Sequence, residues 1–188
     1  MKYRLKKSGA LLLAFLFLAG IASAQDRYFT KTGTIVFTSK APLEDIVATN
    51  KTVTAVLDTK TGALQFSAQM KSFEFEKALM QQHFNDKYVE SDRYPEAVFR
   101  GTVANNAAVN YSKDGAYNVR VKGKLTMHNV TKDVDVPGVL KVSGGRIEAV
   151  STFSVQASDY KIAIPAGVKE KVSNTIQIVV DTKLDPLK

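Results

Sequence analysis

Strict alternation of apolar and polar residues restricts this chain more than anything else in it. Leu64, Phe66, Ala68 and Met70 share one parity, and Gln65, Ser67, Gln69 and Lys71 share the other. Successive side chains of a strand point to opposite faces, so this spacing sorts the two sets cleanly; a helix would scatter them around its circumference. The same holds for Tyr117, Val119, Val121, Leu125 and Met127 against Asn118, Arg120, Lys122, Lys124 and His128. Ile147, Ala149, Phe153 and Val155 oppose Glu148, Thr152 and Ser154, with Val150 breaking the pattern. Each strand has one apolar face and one wet face, as in a sheet wrapped around a hydrophobic interior and bathed outside by water.

Eight segments read as strands between turn signals: 28–39, 46–58, 62–72, 96–105, 115–128, 132–143, 145–157 and 172–184. Asp58-Thr-Lys-Thr-Gly62 and Ser143-Gly144-Gly145 are hairpin connections, and Lys113-Asp114-Gly115 is a third turn. Strands of this length exceed the usual five or six residues. Their evenness favours a closed barrel over a sandwich, and eight strands enclose room for one slender ligand. The alternation fails once. From Phe75 the apolar residues Phe75, Ala78 and Leu79, followed by Gln82/His83, fall on one side of a helix of about ten residues, and Phe84, Tyr88, Tyr94 and Pro95 follow as an aromatic turn. So short a helix is marginal alone and must lie on apolar surface, either as a plug or lid over the barrel's open end or as a completion of the core. The expected fold is all-β: an eight-stranded antiparallel barrel with one short helix after the third strand.

The N-terminal residues follow other rules. Lys2, Arg4, Lys6 and Lys7 precede an apolar run, 10–22, that ends in Ala22-Ser23-Ala24. That order reads as a secretory signal peptide cleaved after Ala24, leaving 25–188 as one domain with a periplasmic or secreted destination. The run is shorter than the roughly 20 apolar residues of a membrane span. The formal net charge of +8 falls to +4 without this leader, and the remaining lysines are scattered among acids. They describe solvated strand faces rather than a nucleic-acid groove.

Groups able to do chemistry are sparse. There is no cysteine, and two histidines, His83 and His128, make no metal cluster. By parity His128 belongs to the wet face, and His83 is a hydrogen-bonded structural residue or a polar pocket group. The carboxylate pairs Glu74/Glu76, Glu90/Asp92 and Asp133/Asp135 suit solvated turns and faces. No phosphate loop, nucleophile elbow or zinc-protease motif is present. The expectation is a binding protein with no catalytic residues, no metal and no cofactor. Asn50-Lys-Thr and Asn129-Val-Thr match the glycosylation sequon.

Three stretches resemble the YceI-like family of secreted lipid-binding proteins. They are His83-Phe84 with Tyr88-Val-Glu-Ser-Asp-Arg-Tyr94-Pro95 leading into Ala97-Val98-Phe99; Val121-Lys-Gly-Lys-Leu-Thr-Met-His-Asn-Val-Thr131; and Asp159-Tyr160-Lys161-Ile162. They occur in the family's order along the whole mature chain. The resemblance implies a lipocalin-like barrel with a hydrophobic pore and a long isoprenoid or quinone-like lipid as ligand. Met80 and Gln81 stand where many members carry Arg-Asp, and Ala157 where many carry Arg, which weakens any grip on a charged head group. The expected pore lining is Phe37, Leu64, Phe66, Met70, Phe99, Val121, Leu125 and Phe153. Phe75, Leu79, His83, Phe84, Tyr160 and Ile162 are expected near a mouth. The partner is then a long-chain apolar lipid, with no nucleic acid, no embedding in a membrane and a homodimer left open. Two other readings share the strand pattern: a ligand-free barrel module with a filled core, and an outer-membrane β-barrel.

Overall fold

The computed structural model describes residues 26–187, so the leader expected over 1–24 lies outside the described residues. Eight long strands close into a barrel: β1 (Arg27–Lys40), β2 (Asp45–Asp58), β3 (Ala63–Gln69), β5 (Glu96–Val103), β6 (Gly115–Met127), β7 (Val130–Ser143), β8 (Arg146–Gln156) and β9 (Thr175–Pro186). Their order around the wall is β1-β9-β8-β7-β6-β5-β3-β2, and β1 pairs with β2 to complete the ring. Every described pairing is antiparallel. The eight expected strands are all present, and a ninth, the two-residue β4 (Glu74–Phe75), pairs with Thr49 and Ala48 of β2.

That extra pairing corrects the expected start of the helix. Phe75 is extended, drawn into the sheet by β2, and the helix α1 (Ala78–His83) begins three residues later. Its N-cap, Lys77, has no side-chain oxygen to bond the free amides. The helical path continues through a wider turn of π type over Phe84–Tyr88. Before β4, a 3₁₀ turn at Met70–Ser72 shifts the phase of the chain. Asn50, fully buried, anchors this departure: its Nδ2 donates to the Gln69 carbonyl at 2.9 Å, and its Oδ1 accepts from the Thr52 amide at 2.8 Å. The sequon at Asn50 is therefore a structural element of the wall.

The two ends of the barrel differ. At the end that carries the 59–62 and 144–145 turns and the 104–114 connection the interior is filled: Leu57, Leu184, Ile147 and Leu140 are almost wholly buried in one cluster with Tyr28, Val109 and Val142. The turn between β2 and β3 is pinned by Asp58, whose Oδ1 accepts from the Thr61 amide and hydroxyl, each at 2.9 Å. That backbone bond, more than the nearby Arg27, holds the Asp58 carboxyl below its usual range. At the other end the two longest connections, 70–95 and 157–174, gather beside the short turns 41–44 and 128–129.

The wall is not bonded all the way round. β7 pairs with β8 only through Val139–Ser143 against Arg146–Val150, although β7 stays paired with β6 over its whole length and β8 with β9. Below that level β7 and β8 part and leave a slit. Ser151 Oγ donates to the Pro137 carbonyl at 2.7 Å where they diverge. Pro137 has no amide to offer β8 and so suits an edge that is unpaired. Farther down, the β6–β7 hairpin tip bridges back, with His128 Nδ1 donating to the Tyr160 carbonyl at 3.0 Å.

Candidate functional site

Below the filled end, the inward-facing residues stand back from one another and enclose a cavity of about 600 Å³. This lies within the range of small-molecule sites. Val119 and Met127, both on its wall, are eight residues apart on β6, a span of about 26 Å along the strand at ~3.3 Å per residue. The lining is overwhelmingly apolar, with a few polar groups at the open end: Ser39, Glu44, Lys77, His83 and Lys171.

Of the residues expected in the pore, Phe37, Leu64, Phe66 and Met70 all stand on this wall, as do Phe99, Val121, Leu125 and Phe153. Phe66 and Phe99, cross-strand partners on β3 and β5, have ring centroids 6.4 Å apart. The Phe99 ring lies against the facing glycines of β5 and β6, Gly101 and Gly123. A Cβ on Gly123 would stand 2.8 Å from that ring and 2.4 Å from the Arg100 carbonyl oxygen, so only glycine fits. The bare backbone lets the ring lie flat on the wall instead of projecting into the space.

Phe75, Leu79, His83, Phe84 and Ile162, expected near a mouth, also line the cavity. Phe84 packs against Phe37 at 5.4 Å, Phe75 at 5.0 Å and Phe73 at 5.9 Å between ring centroids, and Phe37 stands 5.3 Å from Phe73. This cluster of four rings fixes the helical segment against the barrel. The helix itself buries no residue, and Leu79 is 61% exposed at the opening. His83 is half-buried, and its ring makes no hydrogen bond among the described residues, so it is a polar group of the pocket rather than a bonded structural one.

Tyr160 departs from expectation. It is 2% exposed, packed in the core at the open end and absent from the cavity wall. Burial, reinforced by the Asp159 charge, pushes its phenol up to about 12. His128 also departs. It belongs to the turn with φ +50 and was expected on the wet face, but the left-handed turn reverses the chain and tucks the ring inward. Its side chain is only 10% exposed, 4.5 Å from the Tyr94 ring, with Nε2 3.5 Å from Glu90 Oε1.

The wall also includes residues that sequence reasoning passed over: Phe73, Ile35, Ile178, Val134 and Val136. Phe73 was hidden by the 3₁₀ turn, whose phase change brings Met70, Phe73 and Phe75 inward together. Val139 and Val150, outward by parity, also border the cavity where β7 and β8 separate. The break at Val150 in the alternation marks this place.

Outside, the strands are polar. Arg120 pairs with Asp135, Lys122 reaches the same carboxylate at 3.4 Å, and Lys124 meets Asp133 at 2.8 Å. The Arg120 hydrogen bond holds the Asp135 carboxyl below its usual range. An outer-membrane barrel would place these cations in hydrocarbon at about 2–4 kcal/mol each near the midplane, so this wall is built to face water. Among the described residues no helix is long and apolar enough to cross a membrane, and no group of three His, Cys, Asp or Glu could hold a metal ion. A wholly filled core is excluded by the cavity.

The YceI-like domain model matches residues 24–184 of this chain. Among solved structures, a polyisoprenoid binding domain from Saccharophagus degradans superposes with a TM-score of 0.74 at 16% identity, over 86% of this chain and 99% of that one. BcnA from Burkholderia cenocepacia gives 0.67 at 17% identity, over 81% and 95%. The YCEI protein of Campylobacter jejuni gives 0.56 at 18% identity, over 74% and 84%. At such identities the likeness is one of fold. No curated protein sequence matches significantly.

Proposed function

The chain belongs to the YceI-like domain family, and from that premise we propose that it is a periplasmic or secreted carrier of an elongated apolar lipid, a polyisoprenoid or quinone-like chain. The observation that carries this reading is the cavity of about 600 Å³, walled by aliphatic and aromatic side chains and open at one end. The likeness to a polyisoprenoid binding domain supports the choice of chain. In this reading the protein acts by sequestration: its walls offer hydrocarbon to hydrocarbon, and the polar groups Glu44, Lys77, His83 and Lys171 stand at the open end.

Burial of an alkyl or prenyl chain yields about 0.8 kcal/mol per methylene-sized group. Ordering a floppy chain takes back part of this. The barrel's contribution is a pocket formed in advance, held open because Phe66, Phe99 and Leu125 are on a bonded wall and cannot collapse across it.

Native mass spectrometry of protein purified from its own host, followed by addition of a polyprenol, tests the reading. A lipid adduct, or uptake of the added polyprenol, is the expected result. Absence of both would overturn carriage. Phe66→Trp should project into the cavity and reduce uptake by tenfold or more while the barrel stays folded; undiminished uptake would mean that the chain lies elsewhere.

A further inference from the structure

A second cavity, of about 690 Å³, adjoins the mouth of the first. The two share Ile162, Ile164 and Val172, so the apolar wall of one continues into the other. Beyond these residues the second cavity changes character. It is lined by Lys40, Lys161 and Lys169, with Ser158, Ser173 and Asn174, and by no carboxylate. None of the three lysines makes an ion pair among the described residues. Of the acids close by in sequence, Glu44 is engaged by Lys77 at 2.8 Å, while Asp45, Asp159 and Glu170 do not reach this wall.

The polar side of this groove is braced by its own hydrogen bonds. Asn174 accepts from the Ser158 amide at 2.9 Å and donates to the Ser158 hydroxyl at 3.0 Å, while the Ser173 amide donates to Ser39 at 2.9 Å. Lys161 closes the 3₁₀ turn of 157–160 with φ +58. In this left-handed region a glycine or asparagine is at ease and a lysine is not. A residue held against backbone preference beside a cavity points to a role for its side chain.

We propose that this groove receives the anionic head of the lipid whose chain fills the apolar cavity: a phosphate or carboxylate at the end of a long prenyl or acyl tail. The proposal rests on the carrier reading and adds to it the class of head group and the residues that meet it. The three lysines line the groove into which the apolar wall continues, and attraction to an oxyanion there needs no competing acid on that wall to be displaced. Since all three lysines are exposed, the attraction is sensitive to salt.

Binding of a polyprenyl monophosphate is to be compared with that of the polyprenol of equal chain length, with inorganic phosphate as a competitor, using the delipidated chain. The expected result is at least tenfold tighter binding of the phosphate form at low salt, narrowing as salt rises. In the triple variant Lys40→Gln, Lys161→Gln, Lys169→Gln that advantage should vanish while polyprenol affinity is unchanged. Lys161→Gly separates binding from folding: it relieves the left-handed backbone, so its melting temperature should hold or rise while the phosphate preference falls about threefold. Equal wild-type affinities for the two lipids, or a preference that survives the triple substitution, overturn the head-group site and leave carriage standing. A triple variant that loses the polyprenol as well overturns the division into head and tail sites. Failure of both lipids to bind the wild type overturns both readings.

Discussion

His128 shows how much one side chain can secure. Its Nδ1 holds the Tyr160 carbonyl, its ring meets Tyr94 edge-on, and the hairpin tip that carries it reaches across the open part of the wall. Removing the ring leaves a carbonyl unpaired in a place with little water, so His128→Ala should lower stability by about 1–3 kcal/mol, read by denaturant unfolding. An unchanged midpoint would mean that water replaces the ring without loss. The tyrosines make a second claim at this scale. Burial pushes Tyr160, with help from Asp159, and Tyr111 up to about 12, against about 10 in an unfolded chain. Between those values the unfolded state has released protons that the folded state keeps. Stability is therefore complete below pH ~10 and declines as pH rises towards ~12. Melting curves across that window should show the decline, and the double variant Tyr111→Phe, Tyr160→Phe should flatten it; an equal slope in the variant would assign the loss to other groups.

Among the elements, the separation of β7 from β8 left one trace, Val150, which breaks the alternation of β8 where the two strands part; below it the strands alternate as if a neighbour were bonded. A strand's own pattern reports which face is buried, not which edge is paired. The strands and most of the lining were legible for that same reason: Leu64, Phe66, Val121 and Leu125 announce their face by parity alone, whereas parity gave no sign that one end is packed shut. Parity failed where the chain turns. It ran on through the left-handed tip at His128, and it missed Phe73 behind the 3₁₀ turn. The slit has a measurable consequence. Arg120 accepts from Ala104 on the β5 side, so its partner Pro137, and likewise Asp135 and Asp133, direct their backbone groups towards β8. By the register of the paired part, Thr152 and Ser154 face them from β8. The amides of Asp133, Asp135, Thr152 and Ser154 should exchange with solvent deuterium on the order of 100-fold faster than those of Lys141 and Glu148, in the bonded part of the same two strands. Equal protection would show that the strands close in solution.

At the scale of the whole molecule, the barrel separates two tasks along its axis. The end of the 59–62 and 144–145 turns is packed and supplies a stable frame, while the interior beyond it stays open, with the Phe99 ring held against the wall. Gly123 is where the two tasks meet, since it gives the Phe99 ring its place. Gly123→Ala should push that ring inward, destabilise the barrel by about 1–3 kcal/mol through overpacking and reduce lipid uptake together with stability. A ligand that fills the cavity acts on the molecule as a unit, because it binds the folded barrel and has no site on the unfolded chain. At a hundredfold excess over its Kd it adds about 2.7 kcal/mol. For a domain of this size each kcal/mol moves the midpoint by roughly 2–4 °C, so saturation with polyprenol should raise the melting temperature of delipidated protein by about 5–10 °C. Phe66→Trp should keep an unliganded midpoint close to that of the wild type, because the cavity has room for the larger ring, and should lose the lipid-dependent rise. If polyprenol raised both midpoints equally, the stabilising contacts would lie outside the cavity; if it raised neither, the open interior would not be a lipid site.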